Sequence, residues 1–333
     1  MSESRVAATP EQVLRRLEWT VLRRLDGLLH GDYRSLFRGE GMDLADLREY
    51  QFADDVRHID WNVTARLQVP HVREYREDRE MAAWFVLDLS GSVDFGSGAA
   101  RKREVAAEFV ALVARVLTRR GNRAGAILFS DRVEAVIPPG NGRRQVLHLL
   151  DRIQRRPEPA AKAARGKTTP GQVTDLRELL RTAQKVIKRR ALVFVISDFI
   201  SRPGWDRPLA QLAQRNEVLA IRLVDPLERN LPDLGLVLMQ DAETGEQLFV
   251  DTWDAGFRRR FADAAQARED LLYESFGNAG VDALELATGD DLIATVMRFA
   301  ELRKRRFQRS GASSQSVRSR LPQAGHLVAG GTR

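Results

Sequence analysis

The stretch that decides the fold is Asp88-Leu89-Ser90-Gly91-Ser92, which follows an apolar run without a polar break, Met81-Ala82-Ala83-Trp84-Phe85-Val86-Leu87. A continuous apolar run bounded by turn residues is typical of a strand buried on both faces of a parallel sheet. Open α/β sheets bind ligands at the carboxyl ends of their strands. The sequence therefore predicts an α/β fold that presents one carboxylate and two hydroxyls at its ligand-binding edge.

The polar residues of this stretch have the spacing of a small metal-binding loop. Asp88, Ser90 and Ser92 follow an i, i+2, i+4 pattern, so an extended loop aims all three side chains in one direction. Hard cations such as Mg²⁺, Mn²⁺ and Ca²⁺ prefer such oxygen ligands. The serines can instead cap the helix that follows, as serines often do. The short pattern alone leaves both interpretations open.

Two further loops add oxygen groups to this set. A second apolar strand, residues 191–196, is followed by Ser197-Asp198, and Thr174 stands just before a helical pattern. Together the three loops supply Asp88, Ser90, Ser92, Thr174 and Asp198. This set resembles the metal-ion-dependent adhesion site of von Willebrand factor A domains. The resemblance implies Mg²⁺ or Mn²⁺ held by Asp88, Ser90 and Ser92, with Thr174 and Asp198 supporting; Thr168 and Thr169 remain alternatives for the loop hydroxyl.

A block upstream of the first strand narrows the resemblance. It comprises Leu47-Arg48-Glu49-Tyr50, Asp54-Asp55-Val56-Arg57-His58-Ile59-Asp60-Trp61, Thr64-Ala65-Arg66 and Val72-Arg73-Glu74-Tyr75. Over about residues 35 to 200 the chain is similar to the bacterial domain-of-unknown-function family 58, with Ala53 where that family usually has Gly. The resemblance implies a MoxR-type AAA+ ATPase as partner and a role in chaperone-like assembly.

The arginines of this block have two interpretations. Arg48, Arg57 and Arg66 can bind an acidic partner through their guanidinium groups. They can also belong to a local network of arginines and aspartates in which Trp61 packs inward, and the second interpretation is the commoner outcome for charged runs.

The remaining pattern divides the chain into three parts. Residues 1–80 hold an amphipathic helix and the family-like block, which we expect to form a helical and β extension. Residues 81–300 alternate strands and helices and then add a hairpin and helices, which predicts a von Willebrand factor A-like, doubly wound, mostly parallel sheet with helices on both faces. Residues 301–333 are rich in Ser, Gly, Gln and Arg, and we expect a disordered tail.

Composition limits the possible functions. The chain contains no cysteine, which excludes disulfides and thiolate chemistry and fits a reducing cytoplasm. The net charge is +7, and residues 301–333, with eight basic residues and one acidic residue, hold the whole excess. The body is neutral, which argues against a folded nucleic-acid-binding surface. No apolar run reaches the roughly 20 residues that span a bilayer, and the first residues do not resemble a signal peptide.

The sequence thus favours a cytoplasmic, non-enzymatic protein-binding module. The module needs a divalent cation, and an Asp or Glu of the partner completes the coordination of that cation. One alternative is a Mg²⁺-dependent hydrolase or phosphotransferase, in which Asp88 is the nucleophile or a metal ligand. The second Asp of a D-x-D motif is missing, and Ser90 lies in no G-x-S-x-G elbow. A second alternative is a tether to nucleic acid or an anionic membrane through the basic tail.

Overall fold

The structure, a computed structural model, describes residues 9–14, 46–51, 56, 59, 61–74, 82–98, 100–119, 121–154, 175–240 and 247–303. The strands are β1 (Asp46–Glu49), β2 (His71–Glu74), β3 (Ala82–Asp88), β4 (Arg123–Phe129), β5 (Val133–Gly140), β6 (Leu192–Ser197), β7 (Glu217–Val224), β8 (Leu236–Gln240), β9 (Gln247–Asp251) and β10 (Asp282–Ala287). The helices are α1 (Trp61–Leu67), α2 (Lys102–Arg119), α3 (Gly142–Gln154), α4 (Leu176–Val186), α5 (Asp206–Ala213) and α6 (Ala255–Ala279). Residues 292–303 are also helical.

A six-stranded sheet in the order β10-β7-β6-β3-β4-β5 forms the centre of the protein. All neighbouring pairs are parallel except β4 and β5, which are antiparallel. Counted along the chain within this sheet, the strands follow the doubly wound 3-2-1-4-5-6 order, in which the connections change direction between β3 and β6. The predicted fold class is confirmed, and the place where such sheets bind ligands lies between the ends of these two strands.

Both faces of the sheet are covered, which explains why β3 lacks a polar break. Phe85 and Leu87 lie in a core with α2 and α3, whereas Trp84 and Val86 lie in a second core with α4 and α5. In the first core the Phe85 ring stacks on Phe194 of β6 at a centroid distance of 5.2 Å. Each fully buried side chain of this size stabilises the fold by about 2 kcal/mol, so β3 is fixed in register from both sides.

Two small sheets stand apart from the central one. β1 pairs antiparallel with β2, as expected for a β extension before the main domain. β8 and β9 form the antiparallel hairpin that the sequence predicts, and its outward face exposes Leu236, Leu238 and Phe249. The prediction that Trp61 packs inward is wrong: its side chain begins α1 and is 69% exposed. The predicted loop at 155–172 lies outside the described residues. The tail predicted to begin at residue 301 starts later, because residues 301–303 still belong to the last helix, and residues 304–333 lie outside the described residues.

Candidate metal centre

Asp88 is the last residue of β3, and its carboxylate is fully buried. One oxygen, Oδ1, accepts a hydrogen bond from the Ser90 backbone N–H at 3.0 Å. The other, Oδ2, accepts one from the Ser197 hydroxyl at 2.7 Å. Because Ser197 ends β6, the side chain of Asp88 bridges the two strands between which the connections of the sheet change direction.

The two serines of the loop lie beside this carboxylate. Ser90 Oγ and Ser92 Oγ are 3.1 Å apart, and both residues are buried. Ser90 stands before a single 3-10 turn, Gly91–Asp94, yet its side chain makes no capping hydrogen bond there. The next α-helix, α2, begins only at Lys102. The capping interpretation of Ser90 is therefore wrong: its hydroxyl instead pairs with that of Ser92 and interacts with the Asp88 carboxylate.

Asp198 follows β6 directly, and its side chain is also buried. Burial and the negative charge of Asp198 raise the pKa of Asp88 to about 6, against the lowering effect of the hydrogen bonds from Ser197 and Ser90. Asp198 directly follows Ser197, whose hydroxyl binds Asp88, so the two carboxylates stand at the ends of neighbouring parallel strands. That they share one ion stays a prediction. We call Asp88, Ser90, Ser92, Ser197 and Asp198 the carboxyl-edge cluster.

The turn after Asp198 is strained and held by aromatic packing. Phe199 has a φ of +59°, a left-handed conformation that bulky residues rarely adopt. Its ring contacts Trp205 and Phe276 at centroid distances of 5.3 and 4.8 Å. Its backbone N–H donates to Ser197 Oγ at 2.8 Å. This packing fixes the direction in which the chain leaves the cluster.

The third predicted loop, which carries Thr174 and precedes α4, is described only at its last residue, Asp175. Thr174, like its alternatives Thr168 and Thr169, lies outside the described residues. The next residue, Asp175, caps α4 by accepting from the Arg177 backbone N–H. The N–H of Leu176 donates to Ser201 Oγ at 3.0 Å, so the start of α4 is bound to the loop that carries Asp198.

A lysine shares Asp198 with the cluster. Lys102 is the first residue of α2 and is fully buried. Its ammonium donates to Asp198 Oδ2 at 2.8 Å and to Glu228 Oε1 at 2.5 Å. Burial lowers the pKa of Lys102, but the charges of Asp198 and Glu228 outweigh it and hold that pKa above its usual value. We call Lys102, Asp198 and Glu228 the lysine triad.

Asp225 joins the loops around the triad. It follows β7, is fully buried, and caps the 3-10 turn Pro226–Glu228. Its carboxylate accepts from the backbone N–H and the hydroxyl of Ser97, from the Leu227 N–H and from the Thr288 hydroxyl. Burial raises the pKa of Asp225, but these hydrogen bonds outweigh it and hold the pKa below its ordinary value. The loops that follow β3, β7 and β10 are thereby joined along one edge.

The donor set of the cluster suits a hard cation. Every polar group in it is a carboxylate or hydroxyl oxygen, the ligand type that Mg²⁺ and Mn²⁺ prefer. The 3.1 Å between Ser90 Oγ and Ser92 Oγ matches two neighbouring ligands of a small octahedral ion, which lie about 3 Å apart at metal–oxygen distances of about 2.1 Å. In the part of the chain that the structure describes, no group of three or more His, Cys, Asp or Glu could hold a metal. A cation here therefore depends on the hydroxyls.

The arginines proposed for partner binding are only partly described. Arg48 lies in β1 and Arg57 lies outside the described residues. Arg66 is exposed in the last turn of α1. Their role in binding a partner stays a prediction.

Sequence reasoning missed two parts of the site. Ser197 was visible as the residue before Asp198, but only its position at the end of β6 shows that it binds Asp88. Lys102 stands between Arg101 and Arg103, a run that reads as an exposed basic helix start. Glu228 is separated from Lys102 by 126 positions, and no local pattern connects the two.

The fold and the cluster define an α/β domain with a polar site at the switch point of its sheet. The chain belongs to the family described as "Protein of unknown function DUF58", which matches residues 46–270. An uncharacterised protein of Mycobacterium tuberculosis is 38% identical over 292 residues, covering 88% of this chain and 89% of the relative. The resemblance to family 58 is confirmed by these matches.

Solved structures of low sequence identity also resemble the chain. The conserved hypothetical protein BatB from Bacteroides thetaiotaomicron is 14% identical, with a TM-score of 0.41, covering 67% of this chain and 99% of that one. An aerotolerance-related membrane protein from Bacteroides fragilis is 11% identical, with a TM-score of 0.42, covering 68% and 99%. In the described part of the present chain, no helix has the length and apolar character that crossing a membrane requires.

Proposed function

We propose that this protein is a non-enzymatic, metal-dependent protein-binding module. Asp88, Ser90 and Ser92 hold Mg²⁺ or Mn²⁺, Thr174 and Asp198 support it, and an acidic residue of a partner protein takes the open position. The observation that carries the proposal is the convergence of Asp88 and Asp198 from separate strands beside a pair of hydroxyls. Burial and the charge of Asp198 raise the pKa of Asp88 to about 6, and a divalent cation beside this carboxylate favours its charged form.

The contacts of Asp88 argue against its use as a nucleophile. Both of its oxygens already accept hydrogen bonds, from the Ser90 N–H and the Ser197 hydroxyl, and the side chain is buried. A carboxylate nucleophile needs an oxygen that substrate can reach. These contacts favour a role in positioning oxygen groups around a cation over attack by Asp88 itself.

For the partner, we propose a MoxR-type AAA+ ATPase, with this protein as its adaptor or co-chaperone. The support is membership of family 58 together with the resemblance of the cluster to an adhesion-type site. A partner carboxylate that completes the coordination makes binding depend on the cation. Binding should therefore be lost when a chelator removes the ion.

The deciding experiment combines metal titration with partner capture. Titration calorimetry of the full chain with Mn²⁺ should give one binding event, which Asp88→Asn abolishes because it removes the charge and keeps the shape. Capture of the MoxR-type ATPase of the same cell should succeed in Mg²⁺ and fail in EDTA or with Asp88→Asn.

Asp263→Asn is the matched control, because it removes one carboxylate from the exposed surface of α6. It should bind Mn²⁺ and the ATPase as the wild type does. Capture that is equally strong in EDTA and with Asp88→Asn would refute metal-dependent binding. Phosphatase or nuclease activity that Asp88→Asn abolishes would favour the hydrolase alternative.

A further inference from the structure

The lysine triad places a permanent positive charge against one of the carboxylates of the carboxyl-edge cluster. The Lys102 side chain is 0% exposed, that of Asp198 1% and that of Glu228 26%. A buried ammonium needs compensating charge, and Lys102 has it from both carboxylates. Asp198 Oδ2 is thereby engaged by the ammonium, while Oδ1 accepts from the Ile200 N–H at 3.1 Å.

The triad is held in position from outside the cluster. Glu228 Oε2 accepts from the Asp225 backbone N–H at 3.2 Å, which completes a capping box around the turn Pro226–Glu228. Lys102 N–H in turn donates to Phe95 O at 3.0 Å, so both the backbone and the ammonium of this residue are fixed. Lys102 is therefore a built feature of the site and not a side chain free to turn to solvent.

We propose that Lys102 is a resident counter-charge that weakens divalent-cation binding at the carboxyl-edge cluster by competing for Asp198. This inference rests on the proposed function, since it concerns the same site. Asp88, Asp198 and Glu228 carry three negative charges when ionised, and Lys102 cancels one of them. A neutral side chain at position 102 frees Asp198 Oδ2 from the ammonium, so that this oxygen can bind the cation. It also removes the positive charge that repels the cation.

Glu228 has the opposite effect in this scheme. Its carboxylate shares the ammonium with Asp198, so it draws Lys102 partly away from the cluster. A neutral amide at position 228 leaves Asp198 as the one charged partner of Lys102 within the triad. Cation binding then weakens, because Asp198 is more fully engaged and one negative charge is lost.

The test is titration calorimetry of the full chain with Mn²⁺. Lys102→Met should bind Mn²⁺ at least about ten-fold more tightly than the wild type, and Glu228→Gln about ten-fold more weakly. Glu217→Gln is the matched control, since Glu217 forms a comparable triad with Arg303 and Asp282. Glu217 begins β7, whereas Glu228 follows the other end of this strand. The control should change the affinity less than about two-fold.

The opposite signs separate this role from a structural one. If the triad only holds the fold together, both variants loosen the site and both weaken Mn²⁺ binding, which overturns the inference. Unchanged binding by a folded Lys102→Met overturns it as well. If Lys102→Met does not fold, Lys102→Gln takes its place, because it removes the charge and keeps a hydrogen-bond donor, and unchanged or weaker Mn²⁺ binding by that variant overturns the inference.

The two proposals fail in different ways. A wild type that binds no Mn²⁺ refutes the metal-dependent function. If Lys102→Met nevertheless binds Mn²⁺, the counter-charge role of Lys102 is supported although the proposed function has failed. If neither the wild type nor Lys102→Met binds Mn²⁺, both proposals are refuted. If the wild type binds Mn²⁺ and both Lys102→Met and Glu228→Gln bind it with the wild-type affinity, only the role of Lys102 is refuted.

Discussion

The hydroxyl of Ser197 donates a 2.7 Å hydrogen bond to Asp88 Oδ2 and so joins the last residues of two neighbouring parallel strands. Asp88 ends β3 and Ser197 ends β6, the pair between which the connections of the sheet change direction. Because Ser197 Oγ also accepts from the Phe199 N–H, one hydroxyl holds both the carboxylate and the strained turn beside it.

Replacing Ser197 by alanine should lower the free energy of unfolding by about 2 kcal/mol. The change removes a donor from a buried carboxylate and leaves the Phe199 N–H without its acceptor. Urea denaturation measures the effect. Ser275→Ala on α6 removes an exposed hydroxyl that donates to the Leu271 carbonyl, and it should change stability by less than about 0.5 kcal/mol. Equal losses for the two variants would contradict the assigned role of Ser197.

Divalent cation should stabilise the wild type against heat. Mn²⁺ at about 100 times its dissociation constant adds about 2.7 kcal/mol to the free energy of unfolding. Asp88→Asn should show no such gain, because the amide does not attract the ion as the carboxylate does. Thermal denaturation with Mn²⁺ and with EDTA measures this. A gain of equal size in Asp88→Asn would place the bound ion elsewhere.

The hydroxyl of the third loop can be identified by comparing three neighbouring threonines. We expect Thr174→Ala to weaken Mn²⁺ binding by at least about ten-fold, since a ligand oxygen is lost. Thr168→Ala and Thr169→Ala serve as matched controls and should bind as the wild type does. Calorimetry measures all three. A loss confined to one of the two controls would move the assignment from Thr174 to that residue.

Phe199→Ala should lower the free energy of unfolding by about 3 to 4 kcal/mol, because it deletes a buried ring that packs on Trp205 and Phe276. Relief of the left-handed backbone does not offset this loss, since alanine is also disfavoured at a positive φ. Chemical denaturation measures it. Leu248→Ala, at an exposed position in β9, is a control that should cost less than about 1 kcal/mol. A loss for Phe199→Ala no larger than that of the control would contradict the packing role.

Asp225→Asn should destabilise the protein by about 2 kcal/mol near neutral pH, because the carboxylate accepts hydrogen bonds from three loops. The pKa of Asp225 is lowered in the folded state, so its stabilising effect is present above about pH 4, the unfolded value. The effect is lost as the pH falls through the folded value. Urea denaturation of both proteins over this range measures it. A difference that grows with acid would contradict this sign.

Local pattern was enough to predict much of the fold. The unbroken apolar character of residues 82–87 reflects a strand buried on both faces, and the spacing of Asp88, Ser90 and Ser92 reflects an ordered loop at its end. The same reasoning failed for Trp61, whose aromatic character suggested burial but whose side chain is 69% exposed. A residue type gives a preference, whereas its neighbours in space decide its exposure.

The sequence by itself determined the sheet, its doubly wound class and the oxygen groups at its edge, because the periodicity of strands and helices and the chemistry of a loop are local properties. Only the tertiary structure decided that Ser197 binds Asp88 and that Lys102 pairs with Asp198 and Glu228. The partners in these contacts are 109, 96 and 126 positions apart. Which charge meets which over such separations depends on how the strands and helices pack, and no short pattern records it.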